Sequence, residues 1–306
     1  MTLPASDPPF QRLTRFAPSP TGRLHLGHVL AAEQVWSMAE RLGAPVLLRV
    51  EDIDTTRCRP AFETAMLEDL RWLGFTWREP VLRQSERGAV YTEAADRLRA
   101  LGLLYPCRCT RRDIEAAWGE APVFGPEGLQ YPGTCRGLTA ADLAAEEPVA
   151  WRLDMAGALE RITADGKDLH TPVLDAGAPV DFRALAEATG DVVLCRRDIG
   201  TSYHLSVTVD DAAQNVTHVM RGQDMYEATA VHRVLQALLD LPTPTYGFHP
   251  LIMMADGSRK LSKRDGAEGL AALREAGYSP AQVRAMARAA LDPVGDPAGD
   301  AAATAR

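Results

Sequence analysis

Apolar runs and amphipathic stretches alternate along the first hundred residues in a β/α order. Leu13 to Ala17 reads as a short buried strand, and the turn-rich "PSPTGRLHLG" follows it. From Gly27 the pattern "HVLAAEQVWSMAERLG" has helical spacing, with Gly43 at the expected stop. "PVLLRVED" (45–52) predicts a second strand and "RPAFETAMLEDLRWLG" (59–74) a second helix, with Pro60 early and Gly74 late. A third helix is expected over "ERGAVYTEAADRLRALG" (86–102). That order predicts a parallel sheet with its ligand beyond the carboxyl ends of the strands.

The register breaks over 107–135, where "CRCTRR" and "YPGTC" bracket a loop containing Gly and Pro. Residues 136–190 are mixed: the acidic, alanine-rich "TAADLAAEEP" predicts helix, and "VAWRLDM" a short strand. From Asp191 the alternation resumes through "DVVLCRRD", "SYHLSVTVDDA" and "VTHVMRGQD" to a helix at "EATAVHRVLQALLDL". After Lys263 one or two helices remain, in "AEGLAALREAG" and "SPAQVRAMARAAL", and "DPVGDPAGDAAATAR" has the composition of a disordered tail. The simplest account is one α/β fold interrupted by an inserted module. Its halves are expected at 1–106 and 191–290, the insert at 107–190 and the tail at 291–306.

Composition narrows the class. With 306 residues, 46% hydrophobic and 24% charged, the chain reads as an ordinary globular protein. No run approaches the roughly 20 apolar residues of a membrane helix, and "MTLPASDPPFQR" lacks a basic-then-apolar signal architecture. A cytoplasmic protein is expected. Five cysteines, an odd count, fit thiols in a reducing compartment. The net charge of −8 argues against a nonspecific nucleic-acid coat but leaves a locally basic face open. Of 33 basic residues only Lys167, Lys260 and Lys263 are lysines, and two of them share "RKLSKR".

Three groups of residues carry candidate chemistry. His25 and His28 flank Gly27 at a loop-to-helix junction, where free backbone N–H groups and the helix dipole favour anions. Imidazoles there can donate to phosphate oxygens; on H-x-G-H alone, ordinary loop histidines are an equal reading. Lys260 and Lys263, in "ADGSRKLSKRDG", suit a loop that follows a phosphate through a reaction, or a merely solvated basic loop. Cys107, Cys109 and Cys135, with Tyr131, form C-x-C then Y-x₃-C. That spacing admits a tetrahedral zinc site or three buried thiols. Cys58 and Cys195 have no partner pattern and read as core thiols. Arg108, Arg111 and Arg112 suit either RNA phosphates or a solvated face.

Taken together and in order, these blocks match a known family. "HLGH" and "KLSK" resemble the two signatures of class I aminoacyl-tRNA synthetases. With "RFAPSPTGRLHLGH", "LRVEDID", "SYHLSVTVDD" and "VMRGQD", residues from about 12 to 265 resemble the glutamyl-tRNA synthetases. Only 43 residues follow Lys263, too few for the helical anticodon-binding region of full-length members. The closer resemblance is to the short glutamyl-queuosine tRNA(Asp) synthetase family. It implies a Rossmann-type catalytic domain with a zinc-containing insertion and no anticodon-binding domain. The implied activity is tRNA-independent activation of L-glutamate by ATP with Mg²⁺, then transfer to the queuosine base of tRNA(Asp), by a monomer without membrane partners.

By position, the resemblance places Arg15, Ala17, Ser19, Glu51, Tyr203 and Arg221 around glutamate. Arg15 meets a carboxylate and Glu51 faces the α-amino group. From the residues alone, Tyr203 reads instead as a strand-end core aromatic. His25, Gly27 and His28 are implied to hold ATP, with Lys263 on the phosphates in the transition state and Lys260 opening the signature. Cys107, Cys109, Tyr131 and Cys135 are implied to bind one structural zinc. Arg264 stands where a neutral polar residue is expected. Rival readings are a truncated glutamyl-tRNA synthetase charging tRNA(Glu), a non-catalytic tRNA-binding paralogue and a small-molecule ligase on the same fold. Exchange that needs tRNA would mark the first; intact H-x-G-H and K-x-S-K argue against the second, and the glutamate set and metal insert against the third.

Overall fold

The computed structural model describes residues 12–144, 147–252 and 269–290. Lys260, Lys263, Arg264 and the tail from 291 lie outside the described residues. In the first third of the chain, strand β1 (Thr14–Phe16), helix α1 (Leu26–Leu42), strand β2 (Val46–Val50), helix α2 (Pro60–Trp72), strand β3 (Arg78–Arg83) and helix α3 (Gly88–Ala100) alternate. The middle third holds β4 (Leu104–Cys107), α4 (Arg111–Trp118), the hairpin of β5 (Phe124–Gly125) and β6 (Gly128–Leu129), β7 (Ala150–Leu153), α5 (Met155–Ala164), the hairpin of β8 (His170–Thr171) and β9 (Val180–Asp181), and α6 (Arg183–Thr189). Then follow β10 (Val193–Cys195), α7 (Tyr203–Ala213), β11 (His218–Gly222), α8 (Ala228–Leu238), β12 (Thr245–His249), α9 (Leu270–Glu275) and α10 (Pro280–Ala289).

Five strands form one parallel sheet in the order β12-β11-β1-β2-β3. From β1 the chain winds outward through β2 and β3, and later the other way through β11 and β12. The direction therefore reverses between β1 and β11, and ligands bind beyond the carboxyl ends of strands at such a switch point. Strands β1 and β2 are buried along nearly their whole length, as strands covered on both faces are, although β1 carries Thr14 and Arg15 and β2 carries Arg49. Against them α1 buries Val29, Leu30, Val35, Met38 and Ala39, and Gly43 ends the helix at φ 61° with its N–H on Ala39 O and Glu40 O. Leu70, Leu270 and Val283 complete this core.

A second sheet, order β10-β7-β4, is antiparallel, and its core runs through α3, α5, α7 and α8. Its outer strands are residues 104–107 and 193–195, so the boundaries at 106/107 and 190/191 fall within or beside a sheet that joins insert and flanks. Every residue of α8 is buried, the mark of a central helix.

Three local readings need correction. "TAADLAAEEP" is no helix over its described residues: Thr139 and Asp142 cap a single 3₁₀ turn (Ala140–Asp142), and Leu143 is already extended. Tyr203 does not end a strand. It is the first residue of α7, where Ser202 Oγ accepts from Leu205 N; the apolar alternation of "SYHLSVTVDDA" belongs to a helix buried on most sides. The hydrophobic pattern does not predict strands β3 and β12. Both are sheet edges, where Pro80 and the Gly247 interruption are tolerated. No helix among the described residues is long and apolar enough to cross a membrane.

Candidate active site

Two adjoining cavities lie at the switch point. The smaller, about 170 Å³, is lined by Arg15, Ala17, Glu51, Tyr203 and Arg221, together with Met225 and His249. The larger, about 270 Å³, is lined by Pro18, His25, Gly27, His28, Asp224 and Ile252. Phe16, Ala17, Ala31, Gly222 and His249 border both. Five of the six residues expected around glutamate thus share one wall, beside all three of those expected around ATP that are described. Ser19 is exposed on the following loop and does not line the small cavity. A larger cavity of about 780 Å³, lined by Trp36, Trp77, Arg284 and Arg288, sits by the start of β2, away from the carboxyl ends of the strands.

Charge in the small cavity is arranged in layers. Behind Arg15 stands Asp211 of α7, whose Oδ1 accepts from Arg15 Nε at 3.0 Å and from Arg49 Nη1 at 2.7 Å. Arg49 is fully buried and also donates to Glu51 Oε1 at 3.1 Å. Burial pushes the Asp211 carboxyl upward, but Arg15 and Arg49 outweigh it and hold the group below the ordinary aspartate range. For Glu51 burial wins: its pKa is raised despite Arg49 and Arg15. Burial likewise raises the Tyr203 phenol. Glu51 N donates to Pro18 O at 3.1 Å, which fixes the end of β2 against the loop after β1.

Arg221 is compensated differently. It is 7% exposed, and its Nη1 donates to Thr229 Oγ1 at 3.2 Å and to His232 Nδ1 at 3.1 Å. Its plane lies over the Tyr246 ring, 5.2 Å from the centroid, and its buried Nε has no partner. Among the described residues it forms no ion pair. A desolvated guanidinium with only neutral acceptors favours an incoming carboxylate.

In the larger cavity His25 caps α1. Its Nδ1 accepts from Gly27 N at 3.1 Å, and His28 Nδ1 accepts from His25 N at 3.2 Å. With both Nδ1 atoms accepting, each neutral ring carries its proton on Nε2, the atom turned from its own backbone. The rings lie 3.9 Å apart, and a Cβ at Gly27 would come within 3.0 Å of His25 Cε1. A Cβ at Gly222 would press on the side-chain ends of Asp224 and Leu251, which would have to shift to admit it. His25 forms a bridge with Gly269, and Leu270 N donates to Leu24 O at 2.9 Å. Both residues that flank the segment carrying Lys260 and Lys263, Ile252 and Gly269, therefore sit at this site.

Some 100 residues after β1, Cys107, Cys109 and Cys135 bring their sulfurs within 4.8 Å of one another, an arrangement that could hold a metal ion. Tyr131 Oη is 3.5 Å from Cys107 Sγ and 3.4 Å from Cys109 Sγ, and accepts from Cys135 N at 2.8 Å. Arg152 Nε is 3.3 Å from Cys107 Sγ, and its guanidinium lies 3.9 Å above the Tyr131 ring. Arg108 pairs with Glu147, while Arg111 and Arg112 are exposed.

The model of the tRNA synthetases class I (E and Q), catalytic domain, matches residues 12–296. The chain belongs to this family. Within the class I synthetases it is 47% identical over 280 residues to the glutamyl-Q tRNA(Asp) synthetase of Rhodobacter capsulatus, covering 90% of this chain and 99% of that one. The glutamyl-Q tRNA(Asp) synthetase of Nocardia farcinica is 45% identical over 277 residues, covering 89% and 82%. Among solved structures, a glutamate tRNA ligase from Elizabethkingia meningosepticum in complex with its amino acid matches with a TM-score of 0.66 at 26% identity. That match covers 89% of this chain and 59% of the ligase, so the chain spans about three fifths of it. A methionyl-tRNA synthetase from Mycobacterium tuberculosis, 12% identical at a TM-score of 0.60, shares the class I fold.

Arg49 and Asp211 were not singled out from the sequence. A signal exists: an arginine inside "VLLRV" and paired aspartates inside an apolar stretch are charges where burial is expected.

Proposed function

We propose that the chain activates L-glutamate with ATP and Mg²⁺, without tRNA, and transfers the glutamate to the queuosine base of tRNA(Asp). One observation carries this reading: Arg221, without an ion-pair partner among the described residues, faces a cavity smaller than drug-sized pockets that adjoins the His25–His28 cavity. Arg221 and Arg15 take substrate carboxylate, Glu51 faces the α-amino group, and Tyr203 and Ala17 complete the cavity wall, with Ser19 outside it on the following loop. An α-carboxylate oxygen attacks the α-phosphorus of ATP; the bond to the bridging oxygen breaks and pyrophosphate leaves. No protein group becomes covalently attached, so positioning and charge supply the acceleration. His25 and His28 donate Nε2–H to phosphate oxygens, Gly27 admits close approach, and Lys263, with Lys260, counters the charge on the leaving group.

We assign a single structural zinc to Cys107, Cys109, Cys135 and Tyr131. Zinc–sulfur bonds of about 2.3 Å at tetrahedral angles would set ligand atoms roughly 3.7 Å apart. Three donor pairs, Cys107–Tyr131, Cys109–Tyr131 and Cys109–Cys135, lie at 3.4 to 3.5 Å, and all three sulfurs lie within 4.8 Å of one another. Four protein donors leave no open position, so a bound ion would tie the insert together rather than take part in chemistry. Arg152 offsets the negative charge of the donors. Residues 107–190 then face the anticodon arm, between catalytic halves at 1–106 and 191–290.

Glutamate-dependent ATP–pyrophosphate exchange without tRNA, followed by transfer of labelled glutamate to tRNA(Asp) with and without queuosine, tests the reading. Exchange without tRNA and label only on the queuosine-bearing tRNA are expected. Exchange that needs tRNA(Glu), with label on it, would replace this reading by conventional charging. No exchange would leave tRNA binding alone.

A further inference from the structure

The partner that orients Arg221 is a histidine where an acid would be the ordinary choice. Arg15 and Arg49 lean on the carboxylates of Asp211 and Glu51. Arg221, at the same cavity, gives both Nη atoms to one neutral nitrogen, His232 Nδ1, at 3.1 and 3.2 Å. His232 is 1% exposed and comes from the second turn of α8, whose first turn supplies Thr229 to the same guanidinium.

A guanidinium only donates, so His232 Nδ1 must accept, and the proton of the neutral ring lies on Nε2. That Nε2 is 3.2 Å from His204 Nδ1. His204 accepts there in turn and carries its own proton on Nε2, which faces Glu127 Oε2 at 3.7 Å. The two tautomers are thus set in one direction, from the cavity outward to the β5–β6 turn. Burial, then Arg221 and His204, drive the His232 pKa well below the ordinary value, so the ring is neutral at working pH.

We infer that His232 is a positioning residue that sets amino-acid specificity: it orients Arg221 through a neutral nitrogen and leaves the guanidinium's full charge for the substrate's side-chain carboxylate. This rests on the reading of the small cavity as the glutamate site. A carboxylate at position 232 would hold the guanidinium as firmly but would neutralise it within the protein. Glutamate would then meet a paired cation and an opposing anion, and the penalty on glutamine, a neutral side chain of nearly the same shape, would shrink. An uncharged apolar residue would leave the charge in place but release its orientation.

The test is ATP–pyrophosphate exchange by the full chain with glutamate and with glutamine, in the parent protein and in His232→Glu, His232→Asn and His232→Leu. His232→Glu is expected to reduce the ratio of kcat/KM for glutamate over glutamine by about 10-fold or more, the order that one or two binding contacts supply, with the KM for ATP unchanged. His232→Asn places an amide oxygen near the position of Nδ1 and is expected to keep the ratio, with KM for glutamate within about 3-fold of the parent. His232→Leu is expected to raise that KM by roughly 10-fold, the scale of a lost hydrogen bond to a charged group.

An unchanged ratio in a folded His232→Glu protein would overturn the inference. If that variant does not fold, the other two decide: equal glutamate KM values for His232→Asn and His232→Leu would overturn it, and a gap confined to glutamate would support it. A parent protein without glutamate-dependent exchange would overturn the glutamate reading itself, a separate and recognisable failure.

Discussion

Asp211 holds Arg15 and Arg49 together; Arg15 has no other carboxylate partner among the described residues, while Arg49 also reaches Glu51. Removing one partner of a buried ion pair leaves an uncompensated charge and typically costs about 3–5 kcal/mol. Asp211→Asn is therefore expected to destabilise by roughly 3 kcal/mol or more in urea unfolding near neutral pH. Because the folded pKa of Asp211 lies below its unfolded value, its contribution is complete above the unfolded pKa and fades as pH falls through the folded one. The gap between variant and parent should narrow in acid; a gap that widened below pH 4 would contradict the assignment. Arg221→Lys tests a different property, since it keeps the charge and loses the planar fork. A fall of about 100-fold in kcat/KM for glutamate, with the KM for ATP retained, is expected from exchange assays.

At the level of elements, the start of α1 is where a single carbon atom should be felt. Gly27→Ala places a methyl group 3.0 Å from His25 Cε1 and must displace the imidazole that caps the helix. Alanine favours a helix over glycine by about 1 kcal/mol and a displaced cap costs about as much, so the melting temperature should stay near that of the parent while the exchange rate falls by roughly 10- to 100-fold. A variant with full exchange would separate His25 from the chemistry. This junction was legible in the sequence because a strand, a turn-rich loop and a capped helix follow one another with strong local signals. The edge strands were not: β3 contains Pro80 and β12 contains Gly247, and only their place in the sheet makes them strands. The aspartate pair of α7 is also a tertiary fact. Neighbouring helical residues point about 100° apart, so Asp211 faces the arginines while Asp210 accepts from Gln84, Arg87 and Tyr91 around α3. Spacing can reveal that the two are buried, but not which cations they meet.

Across the whole molecule, the β10-β7-β4 sheet ties residues 104–107, 150–153 and 193–195 together, while the cysteine cluster has a small core of its own with Tyr105 and Tyr131. Under the proposed zinc assignment, Cys135→Ser is expected to lower the zinc content per chain and the thermal stability relative to the parent. Glutamate-dependent exchange should persist far better than transfer to tRNA; loss of both together would mean that the cluster also supports the adenylating site. The central helix α8 has a further consequence. Its eleven residues are all buried, and amides so enclosed exchange hydrogen only when the whole molecule opens. The side chain that holds Arg221 is mounted on that helix, not on a breathing loop. Heating should therefore leave the choice between glutamate and glutamine nearly constant up to the melting transition, and fidelity would end with the fold rather than before it.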